Sequence, residues 1–415
     1  MDSKLDAIFQ KATAENALPG ISAVVIDSKG NQLYHKAFGV NDISASSPTP
    51  YTTSTPALLW SCTKLVTSIA ALQLLEQGKI SIDDPVSKYV PKITDIPVMD
   101  GKDENGKVRT RPQKSEITIR HLFTHTAGFS YDFFHADTLQ WRIEAGQQPA
   151  GYMATGKREV FDSPLIHEPG SAFHYGISVD WLGFVVEAIS GLSLHDYCTK
   201  HIFEPLGMSN SSPLYQDGVD RLLVHVRGMS GKDPLTAMAE LGPVASSEVF
   251  GGGHYLISTL DDYTKALAAL MNKGTSPTNG ATILKPETVS KYVFQDQLPT
   301  SASRADLVET KTTIPMLSNS GSLLPGKKLG WSCGLMLNLE DIPGGRRQNS
   351  GSWAGMGNLY YWLDPVGDRA GMVMTSVLPF YDETVLTLFE ALEKVAYGGE
   401  VPSGAEAKTL FRVDA

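Results

Sequence analysis

The alternation of apolar and polar positions predicts strands near the start of the chain. An amphipathic pattern over residues 3–16 predicts a first helix that ends at a Leu-Pro-Gly sequence. Residues 21–26 and 32–39 then predict two strands with alternating faces, and a Ser-Lys-Gly-Asn turn joins them. The chain therefore opens with a helix followed by a hairpin.

From about residue 61 to residue 245 the periodicity changes to that of amphipathic helices separated by polar loops. Helices are expected over 118–123, 180–190 and 194–203. The stretch 99–116 is charged and contains Gly and Pro, which predicts an insertion at the surface. The middle of the chain is therefore expected to be mainly helical.

Strand patterns return near residue 250, beginning with three consecutive glycines. Further strands are expected near 330–337, 353–364 and 370–377, and helices over 260–273 and 382–397. Strands, then helices, then strands again predict an α+β fold. We expect one sheet domain built from residues 1–60 and 246–415, a mainly helical domain over 61–245, and an active site in the cleft between them.

The most informative local pattern is the single Ser-x-x-Lys of the sequence, from Ser61 to Lys64. It opens an apolar run over 65–75 that predicts a buried helix closed by Gly78. Residues three apart share a helix face, so Lys64 would lie beside the Ser61 hydroxyl on the first turn. A serine becomes a strong nucleophile when a neighbouring base takes its proton, and burial lowers the pKa of a lysine enough for that role. Because so short a pattern also arises by chance about once in a few hundred residues, coincidence is the competing interpretation.

Composition narrows the classes of function. The 415 residues are 42% hydrophobic and 19% charged, which is typical of one large or two medium globular domains. The net charge of −10, with no basic stripe, excludes nucleic acid and anionic membranes as expected partners. No apolar run reaches about 18 residues, and the first residues lack the features of a secretory signal.

The spacing of the cysteines and of potential metal ligands indicates the compartment and the cofactor requirement of the protein. Cys62, Cys198 and Cys333 are odd in number and far apart, which predicts free thiols in a reducing compartment. We find no metal-ligand spacing and no nucleotide-binding glycine pattern. The expectation is a soluble, cytoplasmic protein without cofactor or metal.

Several further motifs follow the Ser-x-x-Lys in a fixed order. They are, in turn, Thr-Ile-Arg-His-Leu-Phe-Thr at 118–124 leading into His-Thr-Ala-Gly, His-Glu-Pro-Gly at 167–170 leading into Phe-His-Tyr-Gly, Glu-Pro-Leu-Gly-Met at 204–208, and Phe-Gly-Gly-Gly at 250–253. Together they resemble the serine β-lactamase and penicillin-binding protein superfamily over about residues 17–395. The sequence is most similar to the class C-like (family VIII) carboxylesterases and the fungal statin acyltransferases. The resemblance implies a β-lactamase/transpeptidase-like fold, with an antiparallel sheet flanked by helices and an inserted, mainly helical domain.

The resemblance also implies a Ser-Lys-Tyr site. Ser61 would attack an acyl carbonyl, Lys64 would hold or accept the serine proton, and Tyr175 would act as general base and later as general acid. A tyrosine ordinarily titrates near pH ~10, so Tyr175 needs a nearby cation such as Lys64 to act as a phenolate near neutrality. A half-buried aromatic residue beside a helix start is the alternative interpretation of Tyr175.

The segment around Trp353 matches the strand that carries Lys-Thr-Gly in β-lactamases. Trp353 replaces the lysine that binds an anionic carboxylate, and Ile177 stands where β-lactamases carry an asparagine; both changes favour esters over β-lactams. The backbone N–H groups of Ser61 and Met356 are the implied oxyanion hole, and Gly355 would let the strand approach the ligand. A core strand with a glycine bulge is the alternative.

Two other features bear on the site. Tyr131, Phe134 and Trp353 would wall an apolar pocket for an acyl group or an alcohol, with plain core packing as the alternative. Ser332 lies in a Gly-x-Ser-x-Gly sequence, the nucleophile elbow of α/β-hydrolases. That elbow needs a helix directly after the serine and a histidine later in the chain, but residues 335–338 continue as a predicted strand and no histidine follows Ser332.

Two functions on one intermediate are therefore in contention. The first is a carboxylesterase that hydrolyses a small-molecule ester through an acyl-Ser61 intermediate. The second is an acyltransferase that passes the acyl group from a donor to a natural-product alcohol. A β-lactamase, a peptidase and an inactive binding protein are less favoured, and the acyl group and oligomeric state are left open.

Overall fold

The computed structural model describes residues 2–151, 155–238, 241, 247–307, 309–402 and 409–414. Its strands are β1 (Gly20–Ile26), β2 (Gln32–Gly39), β3 (Ala57–Leu58), β4 (Val98–Lys102), β5 (Val108–Arg111), β6 (His225–Val226), β7 (Thr236–Ala237), β8 (Ile257–Ser258), β9 (Gly321–Leu323), β10 (Leu329–Trp331), β11 (Met336–Asn338), β12 (Gly351–Gly355), β13 (Leu359–Asp364), β14 (Arg369–Met374), β15 (Val377–Leu378) and β16 (Phe411–Val413). Its α-helices are α1 (Asp2–Ala14), α2 (Thr63–Glu76), α3 (Ile119–Phe123), α4 (Ala136–Glu144), α5 (Ser178–Ser190), α6 (Leu194–Cys198), α7 (Glu204–Leu206), α8 (Leu260–Met271), α9 (Pro286–Thr288) and α10 (Glu383–Ala396).

The central feature is a seven-stranded sheet in the order β10-β11-β12-β13-β14-β1-β2, antiparallel throughout. Strands from the two ends of the chain meet where β1 pairs with β14. The α+β class and the antiparallel sheet flanked by helices are therefore confirmed. The division into domains at residues 60 and 245 stays a prediction, and the second boundary lies outside the described residues.

Helices cover both faces of this sheet. Along β1, Ile21, Ala23 and Val25 pack with α1 and α10, whereas Val24 and Ile26 face the larger core that includes α8. Every residue of β1 is buried. The predicted alternation is thus real, but it separates two apolar cores instead of a core and solvent.

Helix α2 is the buried helix expected after the Ser-x-x-Lys. It packs against α5 and α6, and twelve of its fourteen residues are buried, from Thr63 to Leu74. A helix that is apolar all round belongs inside a protein, as this one does. Gly78 has the expected left-handed backbone (φ +68°), and the Lys79 N–H donates to the Leu74 carbonyl at 3.0 Å, which closes the helix in a Schellman motif.

Three strand predictions need correction. The glycines at 251–253 do not form a strand: Gly252 and Gly253 lie in a turn, and Gly251 and Gly253 pack closely against the buried carboxylate of Asp180. The expected strand at 330–337 is two strands, β10 and β11, with a turn between them, and 353–364 likewise divides into β12 and β13. Positive φ angles at Gly334 (+119°) and Asn358 (+61°) mark these reversals.

Short strands outside the main sheet are the elements that the apolar pattern did not reveal. The charged stretch at 99–116 contains most of an exposed hairpin formed by β4 and β5. Val98, the first residue of β4, also forms a β-bridge with Leu165. Near the far end of the chain, β16 pairs with β9. Within the described ranges, no helix has the length and apolarity that a membrane span requires.

Candidate active site

Ser61 lies in a tight turn immediately before α2. The turn, Trp60–Cys62, is a 3₁₀-helix. Ser61 was expected on the first turn of α2, but it lies just before that helix begins. Trp60 has φ +49°, a left-handed conformation that costs a bulky residue free energy. Such strain beside a serine is typical of a functional position and directs the Ser61 side chain towards a cavity, which it lines.

Strand β12 comes unusually close to this turn. A Cβ atom on Gly355 would lie 2.5 Å from the Leu59 carbonyl oxygen and 3.3 Å from the Cys62 sulfur. Only glycine therefore fits at the end of β12. This close approach is to the backbone that carries Ser61, and an approach of β12 to a ligand stays a prediction.

Lys64 makes three hydrogen bonds from a buried position. Its Nζ is 3.1 Å from Ser61 Oγ, 2.9 Å from Tyr131 Oη and 2.9 Å from the Gly253 carbonyl oxygen. An ammonium group can donate all three bonds. A neutral amine can donate two of them and accept one from the Ser61 hydroxyl. Both charge states of Lys64 are therefore satisfied, as a group that gains and loses a proton requires.

Burial also brings the titration of Lys64 into the neutral range. Lys64 is 1% exposed, and its removal from water lowers its pKa to about 7, although the negative charge of Asp180 opposes the shift. Near neutral pH a large fraction of Lys64 is thus an uncharged amine beside the Ser61 hydroxyl. This arrangement can move a proton from serine to lysine.

Tyr131 occupies a different place from the one that the sequence suggested. The expected pocket wall is formed by its neighbours Phe133 and Phe134, while Tyr131 is buried with its hydroxyl on Lys64. A fully buried ion pair between Asp132 and Arg142, 3.1 Å apart, fixes this loop. A role of Tyr131 in substrate binding stays a prediction, but the structure adds a contact with Lys64 that no local sequence pattern indicates.

Tyr175 lines the same cavity as Ser61. Its hydroxyl accepts a hydrogen bond of 3.1 Å from the indole N–H of Trp353. The ring of the neutral, buried His125 lies 4.7 Å from the Tyr175 ring, and Lys64 Nζ lies 4.7 Å from its centroid. Burial raises the pKa of Tyr175, so the free enzyme carries a phenol there and not a phenolate.

An apolar cavity of about 650 Å³, including its mouth, opens above Ser61. Phe134, Trp353 and Gly355, which the sequence predicted at the pocket, all line it, and so does Met356. The remaining apolar lining residues were not predicted from the sequence; they are Phe133, Phe173, Leu307, Leu323, Met336, Ala354, Phe380 and Tyr381. The cavity suits an apolar acyl chain because most of its lining residues are apolar, although Asp306, Glu309, Thr310 and Ser322 also border it.

A second, more polar cavity of about 1020 Å³, mouth included, adjoins the first. Phe134 and Tyr175 belong to both, and His135, His174 and Lys311 line the second one alone. Tyr175 is thus bordered by space for a molecule larger than water.

The glycines at 251–253 connect Lys64 to Asp180, because the Gly253 carbonyl accepts a hydrogen bond from Lys64 Nζ. The Gly253 N–H donates to Asp180 Oδ1 at 2.9 Å, and Asp180 is fully buried. Cβ atoms on Gly251 or Gly253 would each come within 2.6 Å of the Asp180 carboxylate, so these glycines are required by space. Asp180 was not predicted as a site residue, although an acid on an otherwise apolar helix is a signal that could have revealed it.

Other candidate groups do not form a second site. Ser332 is fully buried in the turn between β10 and β11, and its hydroxyl donates to the Leu335 carbonyl. It therefore lacks the exposed position of a nucleophile elbow. The three cysteines are free and buried. No cluster of His, Cys, Asp or Glu suited to a metal ion occurs in the part of the chain that the structure describes.

Comparison with known proteins agrees with this geometry. The β-lactamase family model matches residues 5–393. The chain is 28% identical to the monacolin J acid methylbutanoyltransferase of Aspergillus terreus, with 95% of each chain covered. It is 29% identical to the lovastatin esterase of Penicillium rubens, with 90% of this chain and 93% of the relative covered. A variant of simvastatin synthase from Aspergillus terreus superimposes with a TM-score of 0.81 at 27% identity, over 95% and 94% of the two chains. The chain belongs to the β-lactamase family.

Proposed function

We propose that the protein is a carboxylesterase that hydrolyses neutral, apolar esters through an acyl-Ser61 intermediate. The observation that carries the proposal is the Ser61–Lys64 contact of 3.1 Å at the base of an apolar cavity. A nucleophile beside a base with a pKa of about 7 is what acyl transfer near neutral pH needs.

In the proposed acylation step, Ser61 Oγ attacks the ester carbonyl while its proton passes to the neutral Lys64. The Tyr175 hydroxyl gives a proton to the departing alkoxide and recovers one from Lys64, so no net proton is gained or lost. The Trp353 N–H stabilises negative charge that develops on the tyrosine oxygen. This order differs from an initial phenolate base because burial raises the pKa of Tyr175.

The proposed oxyanion hole consists of the backbone N–H groups of Ser61 and Met356. Both residues line the cavity, and the close approach of β12 at Gly355 brings the two backbones together. Backbone donors fixed in this way stabilise the tetrahedral intermediate without having to reorganise. Phe134, Trp353 and Gly355 are the proposed contacts for the acyl chain.

Acyl transfer to an alcohol is the second candidate. The polar cavity beside Tyr175 supports it, because an acceptor there would present its hydroxyl to the acyl carbonyl from the side on which Tyr175 can take its proton. Relatives named as a transferase and as an esterase have nearly equal identity to this chain. The substrates in those names are the first to be tried here, a statin ester as donor and a statin alcohol as acceptor.

The test is the turnover of p-nitrophenyl butyrate by wild type, Ser61→Ala and Ser332→Ala. Ser61→Ala should lower kcat/KM by at least about a thousandfold, because the nucleophile is lost. Ser332→Ala should retain wild-type turnover, since that hydroxyl is buried in a turn. Equal turnover by Ser61→Ala and wild type would refute the mechanism.

A second measurement separates hydrolysis from transfer. Adding a secondary alcohol and analysing the products by mass spectrometry should give free butyric acid as the main product if water is the usual acceptor. A butyrate ester of the added alcohol as the main product would favour transfer.

A further inference from the structure

One wall of the apolar cavity lies outside the seven-stranded sheet. We call it the outer wall; its lining residues are Leu307, Glu309, Thr310, Ser322 and Leu323. Thr310 and Gly321 exchange two backbone hydrogen bonds of 2.8 and 2.9 Å, which join the two parts of the wall. The outer wall therefore needs support from another part of the chain.

That support comes from residues 409–414, here called the clamp segment. Its strand β16 pairs antiparallel with β9, which carries Ser322 and Leu323. The ladder is extended at both ends. The Leu324 N–H donates to the Leu410 carbonyl at 2.8 Å, and the Asp414 N–H donates to the Ser320 carbonyl at 3.0 Å.

Side chains of the clamp segment fill the space behind the cavity. Leu410 is 7% exposed and belongs to the same apolar cluster as Leu307 and Met336, both of which line the cavity. Phe411 is 2% exposed and packs in the neighbouring cluster, against which Leu323 is also placed. Without these two side chains the outer wall would have a void behind it.

A buried carboxylate anchors the clamp segment. Glu390, on α10, is fully buried and accepts hydrogen bonds from the Thr409 N–H (3.1 Å), the Thr409 hydroxyl (2.7 Å) and the Leu410 N–H (3.1 Å), and it pairs with Lys394 at 2.8 Å. A buried charge is tolerated only where its oxygens are satisfied in this way. Docking of the clamp segment and burial of Glu390 therefore depend on each other.

We propose that the clamp segment, anchored by Glu390, is a specificity-determining element that limits the length of the acyl group. It does so by holding the outer wall against the cavity, so that a chain longer than the cavity meets Leu307 and Leu323. This inference rests on the proposed function, because it takes the apolar cavity as the acyl pocket. Glu390 itself touches no substrate and is a positioning residue.

The experiment compares wild type with Glu390→Gln and with a chain ended after residue 408. In Glu390→Gln, an amide NH₂ would face backbone N–H donors, which breaks the anchor without removing volume. Thr387→Ala is the matched control, one turn earlier on α10, where the hydroxyl bonds only to the Glu383 carbonyl. The ratio of kcat/KM for p-nitrophenyl decanoate to that for p-nitrophenyl butyrate is measured for each.

The ratio should rise about tenfold in Glu390→Gln, the effect expected of one relieved methylene contact, and at least as much in the shortened chain. Thr387→Ala should keep the wild-type ratio. An unchanged ratio in cooperatively folded Glu390→Gln would overturn the proposal. If the shortened chain does not fold, the ratio measured for Glu390→Gln alone tests the proposal.

Hydrogen exchange separates this proposal from the proposed function because it needs no substrate. The Leu324 amide, which donates to the Leu410 carbonyl, should exchange at least about tenfold faster in Glu390→Gln than in wild type or Thr387→Ala, as the ladder to β16 opens. Unchanged exchange overturns the clamp even if neither ester is hydrolysed. Failure of wild type to hydrolyse any ester, with faster exchange in the variant, would overturn only the proposed function.

Discussion

Replacing Tyr131 by phenylalanine tests how the charge of Lys64 is controlled. The change removes one hydroxyl, which lies 2.9 Å from Lys64 Nζ, and keeps the ring that stacks on Phe133 with centroids 4.7 Å apart. A hydrogen bond from an ammonium group is worth about 1.5–3 kcal/mol, and one from a neutral amine about 0.5–1.5 kcal/mol. The hydroxyl therefore favours charged Lys64 by about 1 kcal/mol, and its loss should lower the pKa of Lys64 by about 0.7 of a unit.

The assay is the pH dependence of kcat/KM for p-nitrophenyl butyrate. Because neutral Lys64 is the active form, activity in the wild type should rise with pH through about 7, the pKa of Lys64. In Tyr131→Phe the midpoint of this rise should move to lower pH by about 0.7 of a unit. Tyr34→Phe is a matched control, since Tyr34 is also buried and bonds to the carboxylate of Asp6, remote from the site. A midpoint that stays in place or moves to higher pH would refute the reasoning.

Three further changes probe neighbouring contacts. Asp180→Asn removes the negative charge that raises the pKa of Lys64, so the rise of kcat/KM should again move to lower pH, as a pH profile will reveal. Trp353→Phe removes the N–H that bonds to Tyr175 and should lower kcat/KM about threefold to tenfold in steady-state assays, with little change in melting temperature. Gly355→Ala would place Cβ 2.5 Å from a carbonyl oxygen beside the nucleophile, so urea unfolding should show a loss of about 1–3 kcal/mol, and a fluorophosphonate probe should label the serine more slowly.

The elements that follow a strong periodicity were predictable from sequence. Helix α2 and the hairpin of β1 and β2 are examples, because apolar spacing and turn residues there specify the same structure. The contact between Ser61 and Lys64 was predictable for a similar reason, because both residues lie within four residues at one helix start. Features of this kind are predictable because residues close together in the sequence determine them.

Contacts between distant residues were not predictable in this way. Tyr131 was predicted as an aromatic residue of the pocket wall, because nothing near it in the sequence indicates that its hydroxyl contacts Lys64, 67 residues away. Asp180 and Gly253 are 73 residues apart, and the close packing between them is visible only in the fold. The same holds for β16, a three-residue strand whose apolar pattern is too short to distinguish it from a loop.

The central claim, that Ser61 carries the acyl group, is tested most directly by the intact mass of the protein quenched in acid during turnover of p-nitrophenyl butyrate. A covalent intermediate adds a butyryl group, about 70 Da, and peptide mapping should locate it at Ser61. Ser332→Ala should form the same adduct, and Ser61→Ala should form none. A butyryl adduct that persists in Ser61→Ala, or that maps to another residue in the wild type, would contradict the account.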